Sequence, residues 1–221
     1  MSLEDDIQQY LGYFKEQVES IKQLESPLFC KILYAGVIDT LGRAAFPTIQ
    51  GHRQRVVQFI DSCSGWQDKD RVSAVQLVLS LEANQSTSGK LYGEMKSRVS
   101  SWDEWAIIRP NSDPMLHEAY NVAAQDEKKF VDGARYVELF YTYRNHLVHE
   151  FRMPGYGMEI SNNPSTPYYH GFEGRPWQLV FPAPFFQRLC MGCLTGLESY
   201  LKAEQRNPYD SYEFGSLWRR R

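Results

Sequence analysis

The chain has 221 residues, enough for one substantial hydrophobic core, and residues 1–206 are expected to form a single helical domain followed by an extended tail at 207–221. With 24 Lys and Arg against 27 Asp and Glu, the formal charge is −3; this excludes a surface coated in positive charge, so a nucleic acid would have to meet a local patch or a groove between subunits. An acidic start without a basic, apolar leader predicts a cytoplasmic protein, and no stretch approaches the roughly 20 apolar residues of a membrane span, so no membrane partner is expected.

In chain order, Ile7, Tyr10, Leu11, Phe14, Val18, Ile21 and Leu24 recur at helical spacing and predict an amphipathic helix that stops before Pro27. Residues 28–46 are apolar on nearly all sides, through Phe29, Ile32, Leu33, Val37, Ile38 and Leu41, and are expected to form the central helix. Asp39 stands out there, because a carboxylate on a mostly buried helix needs hydrogen bonds or a cation, in a structural or a site role. After a break at 47–51, Val56, Val57, Phe59 and Ile60 predict a third helix ending near Gly65. Its basic start, Arg53 and Arg55, reads as a solvated face or a weak substrate contact.

Residues 70–81 and 90–102 repeat the helical pattern, with a polar loop between them. Past a turn at 110–114, the spacing of Phe130, Ala134, Val137, Phe140, Tyr141 and Leu147 predicts a helix that runs on into Tyr143, Arg144, Asn145 and His149. Residues 153–184 are rich in Gly, Pro, Asn and aromatics, with strand-like pieces at 156–160, 168–172 and 177–181; a small β-hairpin or ordered loop is expected, with Tyr168, Tyr169 and Trp177 as candidate stacking surfaces or as core. Residues 185–203 resume a helix, and the tail ends in Trp218 and Arg221, a candidate phosphate contact or a solvated end. The fold class is therefore mainly α, an up-and-down helical bundle with a small insertion.

Cys30, Cys63, Cys190 and Cys193 lie in apolar helical surroundings and are expected to be reduced and buried; the Cys190-x-x-Cys193 spacing sits within a helix and not after a strand, so core packing is preferred to redox chemistry. His146 and His149 are three apart, but the His-Glu-x-x-His order of a zinc site is missing, so no metal and no other cofactor is expected.

The chemistry-bearing pattern is Arg144-Asn145-x-x-x-His149. Cleaving RNA with its own 2′-hydroxyl needs a base, an acid for the departing 5′-oxygen, and positive charge for the crowded phosphate. A histidine of reference pKa about 6.5 serves as base or acid. An arginine grips two phosphate oxygens and stays charged. Asn145 either orients His149 or binds phosphate, and His146, Asp39, Arg53, Arg55 and Tyr143 are weaker candidates for substrate contact. On a straight helix Asn145 and His149 share a face while Arg144 points roughly 140° from His149. Either the helix is distorted, or the long Arg144 stem reaches around, or a second subunit completes the site. The bland alternative is that Arg144 pairs with Glu138 or Glu150 and that His149 only ends a helix.

The motif resembles the Arg-polar-x-x-x-His signature of the HEPN superfamily, completely at Arg144, Asn145 and His149 and loosely at the flanking helices, residues 136–143 and 32–41. The resemblance implies a metal-independent endoribonuclease of toxin–antitoxin or antiviral defence systems, acting on single-stranded or loop RNA. It also implies a homodimer in which two histidines and two arginines face one cleft. HEPN proteins include inactive members, so the same resemblance admits a non-cleaving RNA- or nucleotide-binding or protein-interaction module with an antitoxin or defence-system partner.

Overall fold

A computed structural model describes residues 2–103, 105–155, 159–160, 164–171 and 177–211. The helical bundle with a small antiparallel hairpin is the class that the periodicity predicts, and among the described residues no helix is long and apolar enough to cross a membrane. Helix α1 (Leu3–Lys22) starts in a capping box, with Ser2 accepting from the Asp5 amide and Asp5 accepting in return. Helix α2 (Pro27–Ala45) begins on Ser26 with Pro27 in its first turn, where a missing amide proton costs nothing. It packs against α1, α3 (His52–Cys63), α8 (Tyr136–His149) and α9 (Ala183–Ala203), so it is central as expected. It is not covered all round, however: Phe29 and Leu33 stand exposed at 48% and 46%.

Gly192 and Gly196 bring α9 against the end of α3, since a β-carbon on either would run into the Ser64 or Cys63 carbonyl. Cys190 and Cys193 lie on this apolar face, and all four cysteines are free and buried, with burial pushing their thiols up.

Between α3 and α8 the chain builds a second, smaller core. Helices α4 (Ala74–Ala83), α5 (Lys90–Ser100), α6 (Leu116–Val122) and α7 (Lys128–Gly133) enclose Leu77, Leu81, Leu91, Met95 and Val131. The expected helix from Phe130 through Leu147 is thus two helices. Its spacing is uninterrupted, but the backbone at 134–136 pairs elsewhere: Ser73 donates to the Ala134 carbonyl at 2.9 Å and Tyr136 to the Arg71 carbonyl at 2.8 Å. Arg135 is extended there, bridging Val72.

Strands β1 (Tyr168–His170) and β2 (Gln178–Val180) pair antiparallel with Tyr169 opposite Leu179, inside the predicted insertion. Of the third strand-like piece, residues 156–158 lie outside the described residues and 159–160 form no strand. Within the stretch read as an extended tail, Pro208–Ser211 is a 3-10 turn docked on the bundle, with Asn207 donating to Asp6 at 2.7 Å and the Tyr209 ring edge-on to Tyr10. Trp218 and Arg221 lie outside the described residues.

A buried polar knot joins the two cores. The Asp113 carboxylate accepts from the Ala74 amide at 3.0 Å and from the hydroxyls of Tyr136 at 2.7 Å and Tyr169 at 2.5 Å. With its one proton given to Asp113, the Tyr169 hydroxyl accepts from the Ser73 hydroxyl, the two oxygens 2.8 Å apart. Even so, burial outweighs the hydrogen bonds and pushes the Asp113 carboxyl up to about 6. A carboxyl raised by folding favours the native state most below its unfolded pKa, and that contribution fades as pH rises through the folded value. Native stability should therefore lose about 3 kcal/mol from this group between pH 4 and pH 7. Urea denaturation across that range should show the loss in the wild type and not in Asp113→Asn.

Candidate functional site

The structure brings Arg144, Asn145 and His149 together within one chain. Helix α8 stays helical through His149, ending where Glu150 bonds back to the His146 carbonyl at 3.1 Å. Phe151 then takes a left-handed φ of 54°, which reverses the chain and sets its ring 5.8 Å from Phe29. Arg144 leaves the far side of α8 and its stem curls back, so that one guanidinium nitrogen, Nη1, donates to Asn145 Oδ1 at 3.0 Å and lies 3.4 Å from His149 Nε2. Of the three geometric solutions, the reaching stem is the one observed. Nε2 can accept from the guanidinium only in the tautomer that carries the ring hydrogen on Nδ1.

The other nitrogen, Nη2, forms an ion pair with Asp39 Oδ2 on α2. The odd carboxylate of the central helix and the arginine of the motif are thus each other's partner, and Glu138 and Glu150 bind elsewhere: Glu138 takes Arg53, and Glu150 takes His146 and Arg152. The pair is largely withdrawn from water, with side-chain exposures of 7% for Arg144 and 18% for Asp39. Asp39 Oδ1 and Arg144 Nε are buried with no hydrogen-bond partner. Burial raises the Asp39 carboxyl despite Arg144 beside it.

Sequence reasoning missed His52, the first residue of α3. Its Nε2 lies 3.6 Å from the same Asp39 oxygen and its Nδ1 3.2 Å from the Tyr141 hydroxyl on α8. Burial holds this imidazole below its usual basicity, opposed by Asp39 and reinforced by Arg144, Arg55 and His149. The available signal was a histidine opening a helix a short loop after Asp39; the run from Arg53 to Arg55 drew attention to charge instead.

The weaker candidates divide. Arg55 donates to the Ile49 carbonyl at 2.9 Å and adds its charge to the Asp39–His52 neighbourhood, while Arg53 lies exposed against Glu138. His146 sits one helix face away, 2.7 Å from Glu150, and lines a cavity of about 520 Å³ with Thr142, Trp177 and Gln178. Tyr143 is core: its ring packs on Phe181 and Phe186, and its hydroxyl accepts at 2.9 Å from the fully buried Lys31, itself paired with Glu159. Tyr168 and Tyr169 are also buried completely, so of the expected stacking aromatics only Trp177 keeps partial access to a cavity.

On the other side of α8 a groove of about 720 Å³ runs between α1 and α2, lined by Tyr13, Leu24, Ile32, Leu33 and Val148 and reaching Asp39 and Arg144. Among the described residues, no group of three or more His, Cys, Asp or Glu side chains is placed to hold a metal ion. The chain matches no protein-family model, no curated protein and no solved structure.

Removing either member of a buried ion pair strands the other charge. Asp39→Ala and Arg144→Ala should each lower stability in urea denaturation, and the double variant should cost less than their sum by about 1–3 kcal/mol. Simple additivity would mean that the pair is not formed in solution.

Proposed function

We propose that this chain is a metal-independent endoribonuclease of HEPN type, with Arg144, Asn145 and His149 as its site. The observation that carries the reading is one guanidinium nitrogen touching both Asn145 Oδ1 and His149 Nε2 at the solvent edge of α8. A phosphate arriving there meets a fixed cation, an amide and an accessible imidazole, the groups that attack by a 2′-hydroxyl requires. Asn145 holds the guanidinium in place, and Arg55 adds positive charge beside Asp39 for the flanking backbone, whereas Arg53 is paired with Glu138. A net charge of −3 is compatible with this, because the cations are local.

A second copy of the chain is the partner that fits the uncovered apolar face. Phe29, Leu33, Val148 and Phe151 stand 36% to 60% exposed on α2 and at the end of α8, contiguous with the groove that reaches Arg144. A two-fold contact there sets two sites side by side along one RNA.

One observation favours the non-cleaving reading, an RNA- or nucleotide-binding module: Arg144 is already engaged by Asp39, so a phosphate has to share it. Incubation with mixed single-stranded RNAs in excess chelator decides between them. Cleavage should yield 2′,3′-cyclic phosphate ends and fall at least about 100-fold in Arg144→Ala and in His149→Ala. Binding without cleavage would select the non-cleaving module, and cleavage that survives both substitutions would remove the assigned site. In sedimentation at tens of micromolar the wild type should run as a dimer and Leu33→Glu as a monomer.

A further inference from the structure

We infer that His52 is the second acid–base histidine of this site, so that a single chain carries both the base and the acid of the cleavage step. The inference rests on the ribonuclease reading and changes where the second histidine comes from. One histidine cannot remove a proton from the 2′-hydroxyl and deliver one to the 5′-oxygen in the same step. A dimer can supply the second from its other copy, but here it is already present in the same chain. His52 and His149 stand at the two ends of one relay: His52 Nε2 faces Asp39 Oδ2 at 3.6 Å, Asp39 Oδ2 holds Arg144 Nη2, and Arg144 Nη1 meets His149 Nε2 at 3.4 Å. The His52 side chain is 38% exposed.

The surroundings assign it the role of base. A carboxylate only accepts, so Asp39 favours the proton on Nε2, which leaves Nδ1 to accept from the Tyr141 hydroxyl at 3.2 Å. Carboxylate, imidazole and hydroxyl in that order turn the hydroxyl into a proton relay. The titratable and charged groups facing the ring are Asp39 from α2, Arg144 and the His149 ring from α8, and Arg55 from its own helix, with Tyr141 at Nδ1. In the step, the 2′-oxygen bonds to phosphorus as the bond from phosphorus to the 5′-oxygen breaks. The 2′-hydroxyl proton passes to Tyr141 as Tyr141 gives its own to His52 Nδ1. The bound phosphate draws Arg144 Nη1 away from His149, which takes a second proton from solvent and gives it to the leaving 5′-oxygen. The products are a 2′,3′-cyclic phosphate and a 5′-hydroxyl, and His52 then returns to solvent the proton it took, so that no net proton is consumed.

Wild type, His52→Ala, His52→Gln, His149→Ala and Tyr141→Phe are compared on single-stranded RNA in chelator from pH 5 to pH 9, with thermal melting to verify each fold. His52→Ala should lose at least about 100-fold and flatten the acidic limb of the rate profile, His149→Ala should flatten the alkaline limb, and free imidazole should restore part of the His52→Ala activity. Tyr141→Phe should slow cleavage with little change in substrate affinity. Mixed His52→Ala and His149→Ala protomers should recover nothing, because no chain then holds both rings. Full activity in His52→Ala or in His52→Gln, with His149→Ala inactive, overturns this inference and leaves the ribonuclease reading standing; so does recovery on mixing. A wild type that cleaves no RNA overturns both.

Discussion

The ion pair between Asp39 and Arg144 is the contact on which the rest of the site depends. Each charge costs several kcal/mol to withdraw from water, and neither has another strong partner of opposite sign, so the pair forces α2 and α8 into one register. A second polar tie joins the same two helices, from Lys31 on α2 to Tyr143 on α8. Tyr143 and Arg144 are neighbours in sequence, while Lys31 and Asp39 are eight residues apart on α2, so the two ties resist both sliding and rotation. Slipping either helix by one turn, about 5.4 Å, would part Arg144 from Asp39 and Lys31 from Tyr143 at once. The motif is therefore held by the bundle and not by its own loop.

That pair also decides what the arginine presents. A guanidinium has five donors. Here one goes to Asp39, Nη1 serves Asn145 and His149, and Nε is buried without a partner. The fifth donor is the second Nη2 hydrogen, so an incoming anion beside the imidazole reaches the Nη1 edge by taking the place of Asn145 or His149. The carboxylate thus fixes the arginine's direction, and the same carboxylate oxygen faces His52 from the other side.

The helices of the bundle were legible because they bury one face at a regular spacing, and α1, α2, α3 and α9 fall within a few residues of where the apolar positions put them. What spacing could not carry were the features set by distant backbone. The break before α8 is invisible in Phe130, Ala134 and Val137, because it is made by hydrogen bonds to Arg71 and Ser73. The all-round apolar reading of α2 was right in composition, but periodicity does not say which apolar face lacks a neighbour, and Phe29 and Leu33 are uncovered. At the site, Asp39 was legible as a residue in need of a cation, but not which cation. The helical wheel turned Arg144 away from His149 because a wheel treats each side chain as a direction, whereas an arginine stem is long enough to cross the ridge. His52 left no such trace. Its place beside Asp39 follows from the loop at 47–51 folding α3 back onto α2 and α8, which is tertiary information.

The two flanks of α8 differ, and the difference bears on how a substrate approaches. On the Arg144 and Val148 side lies an apolar groove shared with α1 and α2; on the Thr142 and His146 side lies a cavity walled by Leu139, Trp177, Leu179 and Phe181. Asn145 and His149 sit on the strip between them, where a helix of about 3.6 residues per turn puts positions four apart. If a second copy covers the groove, the Val148 flank becomes protein interior and the imidazole is reached from the opposite flank. That flank leads toward His146, where a base stacked on Trp177 would lie in the cavity while its phosphate met the Nη1 edge of Arg144. Under the proposed reading, an apolar interface and a polar site could then share one helix without competing for surface, because a dimer would occupy the face that burial left bare and an RNA the face that carries the hydrogen-bonding groups.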